Sequence, residues 1–207
     1  MTTAPGLCEP PLRASELPAG RLDRLRDGTP VRIRSAAPAD RPAVAEFLTH
    51  LSRDALERRF FTAIRPETVA EEILTPRPTY ERVSLLVETL DSRHSAVIAH
   101  GEYSRLASDP TRAEVAFLVA DDHQGLGAAT LLLMHLARQA REAGIRHLDA
   151  VVLPENRAML DVFLGSGFPC RITWQEGEGR ISLDVAHDPP TALMIPRSGR
   201  PQNRLMA

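Results

Sequence analysis

Residues Asp121 to Gly144 read DDHQGLGAATLLLMHLARQAREAG, and the reading of the whole chain depends on them. The stretch opens on a glycine-containing loop, Gln124-Gly125-Leu126-Gly127-Ala128-Ala129. It continues with Leu126, Ala129, Leu133, Leu136, Ala140 and Ala143 at steps of three and four, the period of a helix with one apolar face. Just before it, Ala113 to Ala120 is a strand-like run. Strand, small-residue loop and helix in that order make a phosphate cradle. The first-turn amides of a helix lack intrahelical partners, and its dipole favours negative charge there. Gly127, Ala128 and Ala129 keep side chains away from whatever approaches those amides. The loop is read as a pyrophosphate site, although the same order also describes a plain turn with glycine at its tip.

The chain has 207 residues and a hydrophobic share of 43%, enough for one domain with a real core. No run approaches the ~18 apolar residues of a membrane helix, and no basic-then-apolar leader opens the sequence. Cys8 and Cys170 make no spaced framework, and no metal-ligand cluster is visible. These features imply a cytoplasmic protein without a metal. A formal net charge of −2 offers no basic field for nucleic acid. All 25 Lys+Arg residues are arginine, which coding bias explains.

Residues 1–28 carry four prolines, Pro5, Pro10, Pro11 and Pro18, and read as a loose N-terminal arm or one helical turn. The folded domain is expected over 29–186. Val31 to Arg34 alternates as a half-buried strand. Ala39 to Leu51 reads as a helix, Ser52 as the N-cap of a second with Leu56, Phe60 and Phe61 inward, and Pro66 as the start of a third. Val83 to Thr89 and Ser95 to Arg105 are strands joined by a turn at Asp91 to His94. After the central helix, which Gly144 ends, come a strand from His147 to Leu153 and a helix capped by Asn156. A hairpin, Phe168 to Trp174 and Arg180 to Val185, completes the set. Residues 187–207 are Pro-rich and read as a linker or disordered tail.

The order and motifs of residues 31–185 resemble the GNAT acyltransferases. Their acyl-CoA motif is matched by Gln124, Gly127 and Ala129, and a second motif by Asn156 followed by Gly167-Phe168. The resemblance implies an α/β (α+β) fold: a central mixed, mostly antiparallel sheet of six to seven strands, splayed around the acyl-CoA site and flanked by about four helices. Val31-Arg32-Ile33-Arg34, Pro38-Ala39-Asp40, Leu51-Ser52, Arg59-Phe60-Phe61, Gly101-Glu102-Tyr103 and Ala113-Glu114-Val115-Ala116 are further similar to the Pat-type bacterial protein lysine acetyltransferases. That narrower likeness implies acetyl-CoA as co-substrate and, as protein acceptor, the active-site lysine of an AMP-forming acyl-CoA synthetase. It also implies that the Pro-rich tail is a linker to a regulatory domain.

Acyl transfer to a lysine needs a base, because an amine of pKa about 10.4 is only ~0.1% neutral at pH 7.4. Glu114 is the candidate. In a strand it shares a face with Ala116 and Leu118, and apolar neighbours would raise a carboxyl there toward the working range. The resemblance implies the same role. A strand-end carboxylate paired with Arg112 or Arg105 is the structural alternative, and Glu102 is the second candidate base or an acceptor contact. In the GNAT pattern strand 113–120 splays from its neighbour, so Phe117, Leu118 and Val119 are implied as main-chain cofactor contacts, with Leu118 N–H donating to the thioester oxygen. The cofactor contacts implied elsewhere are Gln124, Gly125, Leu126, Gly127, Ala128, Ala129, Asn156, Met159 and Phe163. Asn156 reads equally as a helix N-cap, and Met159 and Phe163 also have core spacing. Many family members carry a tyrosine as general acid where this chain has Phe163, so base-dominated catalysis is expected. His123 reads as a loop residue. A small-amine acetyltransferase and a non-catalytic acyl-CoA sensor are the competing functions.

Overall fold

The computed structural model describes residues 20–60, 66–75, 81–90 and 95–189. The turn expected at Asp91 to His94, the chain ends, Tyr80 and Phe61 lie outside them. Eight strands form one sheet in the order β1-β2-β3-β4-β5-β6-β8-β7: β1 (Arg21–Arg24), β2 (Pro30–Ser35), β3 (Arg82–Thr89), β4 (Val97–Leu106), β5 (Asp109–Val119), β6 (His147–Val152), β7 (Cys170–Gln175) and β8 (Glu178–Asp184). Only β5 and β6 run parallel; the other neighbours are antiparallel. The helices are α1 (Arg41–Thr49), α2 (Arg53–Phe60), α3 (Pro66–Leu74), α4 (Ala128–Glu142) and α5 (Arg157–Leu164). This is the mixed, mostly antiparallel fold implied by the sequence, with eight strands rather than six to seven and five helices rather than about four.

The extra strand is β1, which falls inside the stretch read as an arm. It pairs antiparallel with β2, Arg21 opposite Ile33 through Arg24 opposite Pro30, so the sheet begins before residue 29. None of its four residues is buried, and it therefore has no apolar alternation to show in the sequence. Backbone pairing alone makes it a strand.

Alternation of side chains splits β5 between two cores. Ala113, Val115 and Phe117 join Leu132, Leu133, Leu136 and Ala140 of α4 in the larger core. Leu118 and Ala120 join Val44, Phe47 and Leu48 of α1 and Val69, Ala70 and Ile73 of α3 in a second core on the opposite face. Burying a Leu or Phe side chain contributes about 1.5–3 kcal/mol, so α4 is fixed mainly by its leucines. It approaches the sheet closely at Gly101, where an added Cβ would lie 3.0 Å from the Phe117 ring and 3.2 Å from Leu132. The helix ends as expected at Gly144, with φ of 79°. Gly144 N–H donates to Arg141 O (2.9 Å) and Ile145 N–H to Ala140 O (2.8 Å), the paired bonds of a Schellman stop.

Ser52 caps α2, its Oγ accepting from Ala55 N–H at 3.2 Å. Leu56 is half-buried against the second core. The side chain of Phe60 lies outside the description. No helix among the described residues is long and apolar enough to cross a membrane.

Candidate active site

The site begins where the sheet comes apart. β5 and β6 pair only at Arg112 with His147, Ala113 with Leu148 and Glu114 with Asp149, although the strands run on to Val119 and Val152. Beyond Glu114 they diverge around a cavity of about 410 Å³. The direction of the peptide groups along the gap follows from the bonds at either side. Ala120 N–H donates to Ile98 O of β4, while Thr111 O accepts from Arg146 N–H on the β6 side. Peptide groups alternate sides along a strand. Those of Val115, Phe117 and Val119 therefore face the gap, and those of Ala116 and Leu118 face β4. The amide expected to serve the thioester oxygen thus belongs to an odd-numbered residue rather than to Leu118, whose N–H points toward its register partner His100.

At one end of the cavity lies the loop before α4. Gly127 is the N-cap residue at φ 96°, with no side-chain cap, and the first helical bond is Leu131 N–H to Gly127 O at 3.0 Å. The amides of Ala128, Ala129 and Thr130 are thereby left without helical partners, and all three residues line the cavity. Gln124 and Gly125 line it too, but the Gln124 side chain is tied back, donating to Asp121 Oδ1 (2.7 Å) and Val119 O (3.4 Å). Asp121 also accepts from Ser52 N–H at 2.7 Å, which joins α2 to the loop. Leu126, implied as a cofactor contact, is the exception. Its apolar side chain packs against the larger core and is absent from the cavity wall. Because φ is positive at Gly127, a side chain there costs about 1–3 kcal/mol. For the acyl-CoA contact that the resemblance implies for this loop, Gly127→Val is expected to weaken acetyl-CoA binding at least about tenfold while the protein still melts cooperatively. Titration calorimetry that found unchanged affinity would contradict the loop's role.

Glu114 sits at the last paired position before the strands part, on the face away from α4, and lines the cavity. Its side chain is exposed, so the apolar burial expected for it is not its environment. Neither arginine offered as a structural partner is bonded to it. Arg112 Nε donates to Asp149 Oδ2 at 2.8 Å and Nη2 to Ser182 Oγ at 3.0 Å, and Arg105 Nη2 donates to Ala143 O at 2.6 Å. Among the described residues Glu114 has no hydrogen bond or ion pair, which leaves its carboxylate available. Glu102 is placed differently. It is buried beside an equally buried Arg82, whose Nε donates to Oε2 at 2.9 Å, and it does not line the cavity. His100 is buried with Nε2 2.9 Å from Ser84 Oγ, also off the cavity.

The remaining wall comes from α5. Asn156 caps it, Oδ1 accepting from Met159 N–H at 3.3 Å, and Asn156, Met159 and Phe163 all line the cavity. Phe163 is 1% exposed, and its ring centroid lies 6.1 Å from that of Phe117. Tyr103 lies in the larger core, where burial pushes its phenol up to about 12, and it does not reach the cavity. Among the described residues no group of three or more His, Cys, Asp or Glu could hold a metal ion. Two cavity-lining arginines, Arg26 and Arg157, had no signal in the sequence. Arg26 in particular meets the loop only through bonds to residues about a hundred positions away, Gly125 and Leu126.

The chain can be compared with known proteins on this footing. Residues 50–168 match the model of the acetyltransferase (GNAT) family. An acetyltransferase of Pseudomonas aeruginosa is 31% identical over 153 residues, 71% of this chain and 79% of its own length. The acetyltransferase Pat of Mycolicibacterium smegmatis is 31% identical over 136 residues, 66% of this chain but 40% of its own length. The crystal structure of the GNAT domain of S. lividans PAT superposes with a TM-score of 0.71 at 31% identity, covering 82% of this chain and 99% of that one. With a family model spanning more than half the chain, and with the divided sheet and the amide-lined loop behind it, the chain belongs to the GNAT acetyltransferase family.

Proposed function

We propose that the chain catalyses acetyl-CoA-dependent N-acetylation of a protein lysine, with the active-site lysine of an AMP-forming acyl-CoA synthetase as acceptor. The observation that carries this reading is an exposed carboxylate, Glu114, unpartnered among the described residues, at the point where β5 and β6 part, in one cavity with the free amides of α4. The donor's diphosphate rests on the amides of Ala128, Ala129 and Thr130, and its extended arm pairs with the peptide groups of Val115, Phe117 and Val119. Similarity to Pat and to the GNAT domain of PAT supports the protein acceptor.

In this scheme Glu114 takes a proton from the acceptor ammonium. The neutral nitrogen attacks the thioester carbon, and a gap-facing amide of β5 stabilises the oxygen charge. The carbon–sulfur bond then breaks, and the nitrogen releases its second proton to water. With Phe163 at the usual tyrosine position and Tyr103 sealed in the core, sulfur departs as thiolate and takes its proton from water, as a thiol of pKa about 8–9 allows. The turnover rate is accordingly expected to stay level from about pH 8 to 9.5 instead of falling as an essential acid deprotonates; a steep decline in that range, with folding and binding intact, would overturn the acid-free scheme.

The function is tested by supplying acetyl-CoA with a purified acyl-CoA synthetase and mapping the acetylated residue by mass spectrometry, with polyamines as competing acceptors. Acetylation of the single active-site lysine is the expected result. Turnover of amines without protein labelling would replace the acceptor class, and binding without transfer to anything would replace the enzyme with a sensor.

A further inference from the structure

The cavity offers a diphosphate many amides and few fixed charges. Residues Gln124 to Thr130 contain no cation, and the chain has no lysine anywhere. Among the described residues, the basic ones on the cavity wall are Arg26, His123 and Arg157. His123 is engaged by Asp122, with Nδ1 2.6 Å from Oδ1. Arg157 is the first residue of α5, on the wall that carries Asn156 and Met159. Arg26 is bonded to the phosphate loop itself: its N–H donates to Leu126 O at 2.9 Å and its Nη1 to Gly125 O at 3.3 Å. Its Cγ lies 3.4 Å from where a Cβ on Gly127 would stand.

Arg26 is held there by a firm turn. Leu25 is buried in the larger core, Leu25 N–H donates to Thr29 O and Gly28 N–H to Leu25 O, each at 2.9 Å. Asp27, the nearest carboxylate in sequence, accepts from the Thr29 amide and hydroxyl at 2.9 Å. The guanidinium itself is not consumed. It has five N–H donors, makes its one side-chain bond among the described residues to Gly125 O, and is exposed.

We infer that Arg26, delivered by the turn between β1 and β2, is a donor-binding residue that engages the diphosphate of acetyl-CoA beside the α4 amides. The loop amides supply direction without net charge, and Arg26 supplies a permanent positive charge and a planar fork suited to phosphate oxygens. The N-terminal strand would then complete the donor site and not merely extend the sheet. The inference rests on the acetyl-CoA reading given above.

The test is calorimetric binding of CoA, dephospho-CoA and pantetheine to wild type, Arg26→Gln and Arg26→Lys, which needs no acceptor. Arg26→Gln is expected to weaken CoA and dephospho-CoA alike, by about tenfold, and to leave pantetheine unchanged. Arg26→Lys should recover part of that loss, since the charge persists. Equal weakening of all three ligands would overturn the inference in favour of a general disturbance of the cavity, and a loss in Arg26→Lys as large as in Arg26→Gln would overturn it in favour of Arg26 propping the loop. Weakening of CoA but not dephospho-CoA would overturn it in favour of the 3′-phosphate, and no weakening at all would remove Arg26 from the site. Wild-type protein that binds CoA no better than pantetheine would instead remove the donor reading on which the inference rests.

Discussion

Glu114→Gln is expected to lower kcat/KM for lysine acetylation about a thousandfold, within the ~10²–10⁴ range of a positioned general base. The affinity for acetyl-CoA should change less than about twofold. The argument is one of access and geometry. The acceptor reaches the site as an ammonium, and at neutral pH about one molecule in a thousand is free to attack. An exposed carboxylate with no arginine bonded to it can take that proton, and glutamine, of the same shape, cannot. The measurement is steady-state transfer to the synthetase beside calorimetry of the donor. A variant that keeps more than about a tenth of wild-type turnover would move the base elsewhere. A variant that loses donor binding instead would make Glu114 part of the donor site.

The second large effect is on stability. Glu102→Ala removes a buried carboxylate to which the buried Arg82 donates, and removing one member of a buried pair costs about 3–5 kcal/mol. At about 2–4 °C per kcal/mol for a domain of this size, the melting temperature should fall by roughly 10 °C. The double variant Glu102→Leu with Arg82→Met should recover most of that loss, because two apolar side chains need no mutual compensation. Turnover well below the melting point should persist in the single variant, since Glu102 is off the cavity wall. Thermal melts and rates of the three proteins together decide it: a stable Glu102→Ala protein without activity would restore Glu102 as a catalytic candidate.

Much of this molecule could be read from its residue order, for physical reasons that also explain the gaps. The helices and central strands bury one face each, so their apolar periods showed. Ser52, Asn156 and Gly144 act within a few residues of where they stand, and cap or stop their helices as expected. β1 was missed because a strand with no buried residue leaves no pattern. Arg26 was missed because its contact with Gly125 crosses the whole domain. The setting of Glu114 was misjudged for a related reason. Alternation gave the correct face, but burial along that face depends on which helices reach it: Leu118 is buried in the second core, whereas Glu114 is exposed. The partner of Glu102 had the same origin, since Arg82 comes from the neighbouring strand 20 positions away.

The gap between β5 and β6 bears on how such a chain can change over generations. The groups that Val115, Phe117 and Val119 turn toward it are peptide N–H and C=O, which almost every amino acid carries. Substitutions along this strand can therefore alter packing and size while the row of donors and acceptors survives. Proline is the one replacement that deletes an N–H outright. Relatives that are only 31% identical over the aligned residues can thus keep the same row of peptide groups, because its inheritance runs through the backbone's course and not through the identity of its side chains.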